Sequence, residues 1–126
     1  MARRVLPADA VVAFEHGLPL DERVTRRAMF GCPCAFANGA MFMGVHSVGL
    51  FLRLGAADRA RMIAEHGAVL FDPSGGRPMR EYVVLPEAVL RDDTACAGWI
   101  ARGLAYALTV PARPRRMARK RNVADL

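Results

Sequence analysis

The dipeptide Asn38-Gly39 constrains this chain most, because it separates two short apolar segments. The segments read CPCAFA at 32–37 and AMFMGVH at 40–46. Asn-Gly between apolar runs is the strongest short-range signal for a two-residue β-hairpin, since both central residues of a type I′ turn need positive φ. The sequence therefore predicts an antiparallel hairpin. Its expected cross-strand partners are Phe36 with Met41, Cys34 with Met43, and Cys32 with Val45.

This register places both cysteines of the hairpin on its core face. Six apolar or thiol side chains share that face: Cys32, Cys34, Phe36, Met41, Met43 and Val45. Successive side chains of a strand point to opposite faces, so we expect His46 to point away from the thiols. A β-bulge at Pro33 would shift this register.

The three cysteines of the chain, Cys32, Cys34 and Cys96, allow two interpretations. Free cysteine is among the most buried residue types, which favours packed thiols. Cys96 fits this view, because it lies at core spacing with Trp99, Ile100, Gly103 and Ala107 on a predicted helix. The alternative is a small thiol-redox or metal-binding enzyme that uses the three cysteines, although C-x-C without a second ligand pair supports a metal only weakly. The sequence favours a protein that is not an enzyme, with no cofactor.

Apolar periodicity and capping signals predict the order helix, three strands, helix, two strands, helix. The final helix is expected from about Asp92 to Leu108, with Asp92, Asp93 and Thr94 as capping candidates and Pro111 as the stop. Connections among the first three strands are too short for parallel crossovers, so the fold class is α+β. No apolar run approaches the roughly 20 residues of a membrane helix. The odd number of cysteines fits a reducing, cytoplasmic compartment.

The predicted outer face of the hairpin is small and apolar, with Phe42 on it and Phe51 as a second candidate. Such a face needs a cover, because contiguous exposed apolar surface is typical of interaction sites. One interpretation is a helix of the same chain. The other is a protein partner or a second copy, which would make Phe42 and Phe51 interface residues of a homodimer.

Positive charge is concentrated at the end of the chain. The segment RPRRMARKR at 113–121 holds six of the 18 Lys and Arg residues, whereas residues 1–112 hold 12 basic and 11 acidic side chains. We therefore expect a folded domain at 1–110 and a basic, disordered tail at 111–126. Non-specific nucleic acid is the favoured partner of the tail, and a solvated end without a partner is the alternative. The candidate nucleic-acid-binding residues are Arg113, Arg115, Arg116, Arg119, Lys120 and Arg121.

Several motifs occur in an order that resembles one protein family. They are R-x-MFG at 27–31, CPCAFANGAMFMGV at 32–45, LFLRL at 50–54, ADRARM at 57–62 and GRPMREYVVLP at 76–86. Together they resemble the TfoX/Sxy N-terminal-domain family, which is named after bacterial regulators of natural competence. The resemblance implies a two-layer domain with a mainly antiparallel five-stranded sheet, similar to secretion-chaperone-like proteins. It implies a regulatory domain that assists nucleic-acid or transcription-related partners, and it offers no established catalytic residues.

Overall fold

Four strands precede the second helix, one more than the sequence predicts. A computed structural model describes residues 5–29, 31–73 and 75–110. The additional strand arises because the chain reverses between Met29 and Cys32, where Gly31 has a φ of 79° that glycine adopts without strain. The elements are α1 (Ala8–Gly17), β1 (Val24–Met29), β2 (Cys32–Ala37), β3 (Ala40–His46), β4 (Gly49–Arg53), α2 (Ala56–His66), β5 (Val69–Phe71), β6 (Met79–Val84), α3 (Glu87–Arg91) and α4 (Asp93–Thr109).

The strands form one antiparallel sheet in the order β1-β2-β3-β4-β6-β5. The α+β class is thus confirmed, with six strands in place of five. All four helices contribute side chains to the larger apolar cluster, whereas the smaller cluster contains side chains from strands only. The helices therefore cover one face of the sheet, and no helix of the described residues lies on the other, which is called the helix-free face below. No described helix is long and apolar enough to span a membrane.

The hairpin at Asn38-Gly39 forms as predicted next to its turn. Asn38 and Gly39 have φ values of 49° and 85°, and Phe36 pairs with Met41. The register then shifts by one residue, so that Ala35 lies opposite Met43 and Cys34 lies opposite Gly44 in place of Met43. Phe42 is the extra residue on β3, which is the arrangement of a β-bulge. The predicted partner of Cys34 is therefore wrong.

The bulge divides the predicted core face between the two sides of the sheet. Met43 and Val45 lie in the larger cluster beneath the helices, whereas Cys34, Phe36 and Met41 lie on the helix-free side. Alternation of side chains along a strand restarts with a shift of one residue after a bulge, which explains the division.

The predicted inner stripe of the last helix is confirmed. The buried residues of α4 are Cys96, Trp99, Ile100, Gly103 and Ala107, as the helical period requires. The carboxylate of Asp92 accepts a hydrogen bond of 3.0 Å from the amide of Ala95 and caps the helix. The short helix α3, which precedes this cap, was not predicted.

Candidate functional site

An apolar groove of about 510 Å³ lies on the helix-free face of the sheet. Met29 and Cys32 line it at the turn between β1 and β2, and Phe71 and Met79 line it at the β5–β6 hairpin. Phe51 of β4 also lines the groove and is only 4% exposed. The groove therefore crosses the sheet from one edge hairpin to the other. Its size is typical of sites that bind a few large apolar groups.

Phe71 forms one side of the groove because it stacks on a strand that is not its neighbour. Its ring lies 4.2 Å from the ring of Phe51, with an angle of 7° between the planes. It also meets the ring of His46 edge-on at 5.3 Å. Stacked and edge-to-face ring pairs stabilise such contacts beyond their apolar area. The β5–β6 register shifts between Leu70 and Phe71, which lets the end of β5 depart from the regular ladder.

Gly44 makes room for this ring stack. A Cβ atom at Gly44 would lie 2.5 Å from Cζ of Phe51 and 2.9 Å from Sγ of Cys34. Both distances are shorter than van der Waals contact, so any larger residue would displace the floor of the groove. On the same face, the hydroxyl of Tyr82 donates a hydrogen bond of 2.7 Å to the carbonyl oxygen of Met41. That carbonyl lies beyond the last β3–β4 pair, so Tyr82 takes the place of a missing strand partner.

The cysteines are buried, as the sequence predicts, but two of the three lie on the helix-free face of the sheet and not in the core beneath the helices. Cys32 and Cys34 are 4% and 3% exposed and line the groove, whereas Cys96, also 4% exposed, lies in the larger cluster. His46 lines the same groove as Cys32 and Cys34, so the expectation that it points away from them is wrong. The bulge on β3 is the physical reason, since it changes the face on which the residues beyond it lie.

The surroundings of Cys34 and Cys96 disfavour thiolate chemistry. Burial raises the pKa of Cys34, and the neighbouring Cys32 raises it further. Burial also raises the pKa of Cys96, with an added contribution from Asp93. A raised pKa lowers the fraction of thiolate, which is the form that attacks disulfides and binds metals. Within the described part of the chain, no group of three or more His, Cys, Asp and Glu residues is placed to hold a metal ion.

Phe42 and Phe51 do not stand on one exposed face. Phe42 has no exposed surface and belongs to the cluster beneath the helices, so a helix layer of the same chain covers it. Phe51 is on the opposite face, beneath Phe71. Of the two predicted interface residues, only Phe51 lines a surface that an external partner could reach. The predicted nucleic-acid-binding residues in 113–121 lie outside the described residues.

The groove itself was not foreseen as a site. Phe71 and Met79 occur in apolar runs that predict ordinary strands, and no local signal shows that Phe71 stacks on Phe51. A separate polar cluster is centred on Glu81: Nε of Arg53 donates to its carboxylate over 2.8 Å, and the hydroxyl of Tyr106 donates over 2.9 Å. This cluster joins α4 to the sheet and is structural.

Comparison with known families agrees with the fold and the motifs. The described residues form an α+β domain with its helices packed on one face of an antiparallel sheet. Residues 18–107 match the model of the TfoX N-terminal domain, and the chain belongs to this family. No curated protein and no solved structure matches the chain significantly.

Proposed function

We propose that the protein is a non-enzymatic regulatory domain, similar in role to the N-terminal domain of competence regulators, and that it binds a protein partner through the groove. The observation that carries this proposal is the apolar groove on the sheet face that no helix of residues 5–110 covers in the described part of the chain. Apolar surface of this kind marks an interaction site more often than a solvated surface. Methionine side chains such as Met29, Met41 and Met79 adapt their shape to a partner, which suits a binding surface.

The groups that line the groove favour binding over catalysis. Its titratable members are His46 and the thiols Cys32 and Cys34, and burial raises the pKa of Cys34. Nucleophilic catalysis by a thiol needs a lowered pKa or an adjacent base that removes its proton, and the pKa of Cys34 is shifted in the opposite direction. The proposal includes a cytoplasmic location, which the free cysteines Cys32, Cys34 and Cys96 support.

Substitution of one groove residue tests this function. Met79→Glu places a carboxylate in the apolar groove, whereas Arg91→Glu changes an arginine on α3 that is 71% exposed in its ion pair with Glu87. A partner identified by capture from native cell extract would be purified and its affinity measured with both variants and the native chain. The proposal requires a large loss with Met79→Glu only, at unchanged folding by circular dichroism. Equal affinity for all three chains would contradict it.

A second contact, with nucleic acid, is proposed for the segment 113–121. The segment carries six cations, whereas the rest of the chain has nearly equal numbers of basic and acidic side chains. An external polyanion is therefore the natural partner. Each phosphate that a cation neutralises releases counterions, which makes binding depend steeply on salt. The affinity for duplex DNA across a salt series should therefore be weak, independent of sequence, and lost in a chain that ends at Ala112. If the full and shortened chains bind alike, the segment is not a nucleic-acid contact.

A further inference from the structure

Most arginines of the described residues have a polar partner, and a few form no ion pair. Six form ion pairs with a carboxylate, and Arg59 donates to the carbonyl oxygen of Leu54. Three others, Arg27, Arg77 and Arg80, form no ion pair within residues 5–29, 31–73 and 75–110, and all three are exposed. Unpaired arginines are common on protein surfaces, so their positions matter more than their number.

All three unpaired arginines are neighbours, in the sheet or in sequence, of residues that line the groove. Arg27 pairs with Cys34 across β1 and β2, and its guanidinium lies 5.0 Å from the centre of the Phe36 ring on the helix-free face. Arg77 and Arg80 lie on either side of Met79, which lines the groove at the opposite hairpin. The two acids nearest to them in sequence have other partners: Glu81 accepts from Arg53 and Tyr106, and Asp72 accepts hydrogen bonds from three amides of its own loop. The groove therefore has an apolar floor between cationic borders.

A second copy of the chain is a poor occupant of such a surface. In a two-fold contact the same patch meets itself, so Arg27, Arg77 and Arg80 would face one another across the interface. Like charges in a desolvated contact are unfavourable. An occupant with an apolar stripe and carboxylates on both sides satisfies the floor and the borders together.

We infer that the groove binds an acidic amphipathic helix of a protein partner. The apolar stripe of that helix lies on the floor formed by Met41, Phe51 and Phe71. Acidic side chains on one flank meet Arg27, and those on the other flank meet Arg77 and Arg80. A helix fits because the opposite face of the sheet is already covered by helices in the same manner, and a helix in an apolar groove is a recurring mode of peptide recognition. The inference rests on the proposed function and names the chemistry of its partner.

Synthetic peptides test the inference directly. The probe is a fluorescein-labelled helical peptide of about 18 residues, with leucines at helical spacing and glutamates on both flanks of the leucine stripe. A second peptide carries lysine in place of every glutamate. Both are titrated by fluorescence anisotropy with the full chain and with two variants: the double substitution Arg27→Glu with Arg80→Glu, and Arg91→Glu as the control away from the groove.

The acidic peptide should bind the native chain and the Arg91→Glu control alike. The double variant should bind it at least about 10-fold more weakly and should prefer the lysine peptide, because two of the three arginine positions then carry negative charge. Any one of three results would overturn the inference: the native chain binds both peptides equally, the control and the double variant have equal effects, or the acidic peptide does not bind. Light scattering that gives a dimer mass for the native chain and a monomer mass for Met79→Glu would also overturn the inference, since the groove would then hold a second copy.

The outcomes separate the inference from the proposed function. If Met79→Glu loses the native partner while the acidic peptide fails to bind, the groove is still an interaction site and only the chemistry assigned to its occupant is wrong. If Met79→Glu leaves the native partner bound and the acidic peptide also fails, both proposals are wrong.

Discussion

Replacement of Gly103 by alanine is expected to destabilise the protein, although the same change usually stabilises a helix. Gly103 lies in the middle of α4 and is buried against β4. A Cβ atom there would lie 2.6 Å from Cδ1 of Leu52 and 2.9 Å from the carbonyl oxygen of Arg53. The leucine side chain can move, but the backbone oxygen belongs to the sheet. Gly103→Ala must therefore push α4 away from β4.

The size of the effect follows from two opposing contributions. Additional atoms in a well-packed contact cost about 1–3 kcal/mol, and alanine in place of glycine inside a helix gains about 1 kcal/mol. Gly98 of the same helix provides the matched control, because it is exposed and a Cβ atom there meets nothing within 4 Å. The helix gain is common to both variants. The two free energies of unfolding should thus differ by about 2 kcal/mol, with Gly98→Ala above the native chain and Gly103→Ala below it.

Urea unfolding followed by circular dichroism measures this difference. In thermal unfolding it corresponds to about 4 °C per kcal/mol for a chain of this size. The m-value should stay unchanged, since neither variant alters the surface exposed on unfolding. If both alanines raise stability to the same extent, α4 does not lie in direct contact with β4 at Gly103, and the close packing described here is wrong.

Three further predictions concern the sheet. Cys34→Ala should lower stability by about 1–2 kcal/mol through lost packing, and the native thiol should react with a labelling reagent far more slowly than in urea, because burial raises its pKa. The hydrogen bond from Arg53 lowers the pKa of Glu81 below its ordinary 4.5. The stability that the ionised carboxylate gives the fold is therefore present above pH 4.5 and is lost as the pH falls through the lowered pKa of the folded state. Glu81→Gln should accordingly destabilise the chain at neutral pH and make acid unfolding less steep, and an equal pH dependence of both chains in urea titrations would refute this. Gly44→Ala should displace Phe51 and disrupt the groove, and a native-like spectrum of the Phe51 ring protons by NMR would contradict that expectation.

Local features of the sequence determined the hairpin turn and the inner face of the last helix. The turn at Asn38-Gly39 needs only the two residues that adopt positive φ, and the inner stripe of α4 needs only the helical period. Both depend on residues that are close in sequence. The register beside the turn, with Phe36 opposite Met41, was predictable for the same reason. The additional strand β1 was not separated from β2, because a reversal at Gly31 carries a weaker signal than Asn-Gly.

Long-range packing decided which side of the sheet became the core and where the groove lies. The extra residue Phe42 on β3 sends Met43 to the helix-covered side and leaves Cys34 on the other, and no local pattern marks that residue. Phe71 and Phe51 are brought together by the irregular pairing of β5 with β6. The free energy of a bulge or a ring stack depends on partners that are distant in sequence, so only the tertiary structure could place two hairpins around one apolar floor.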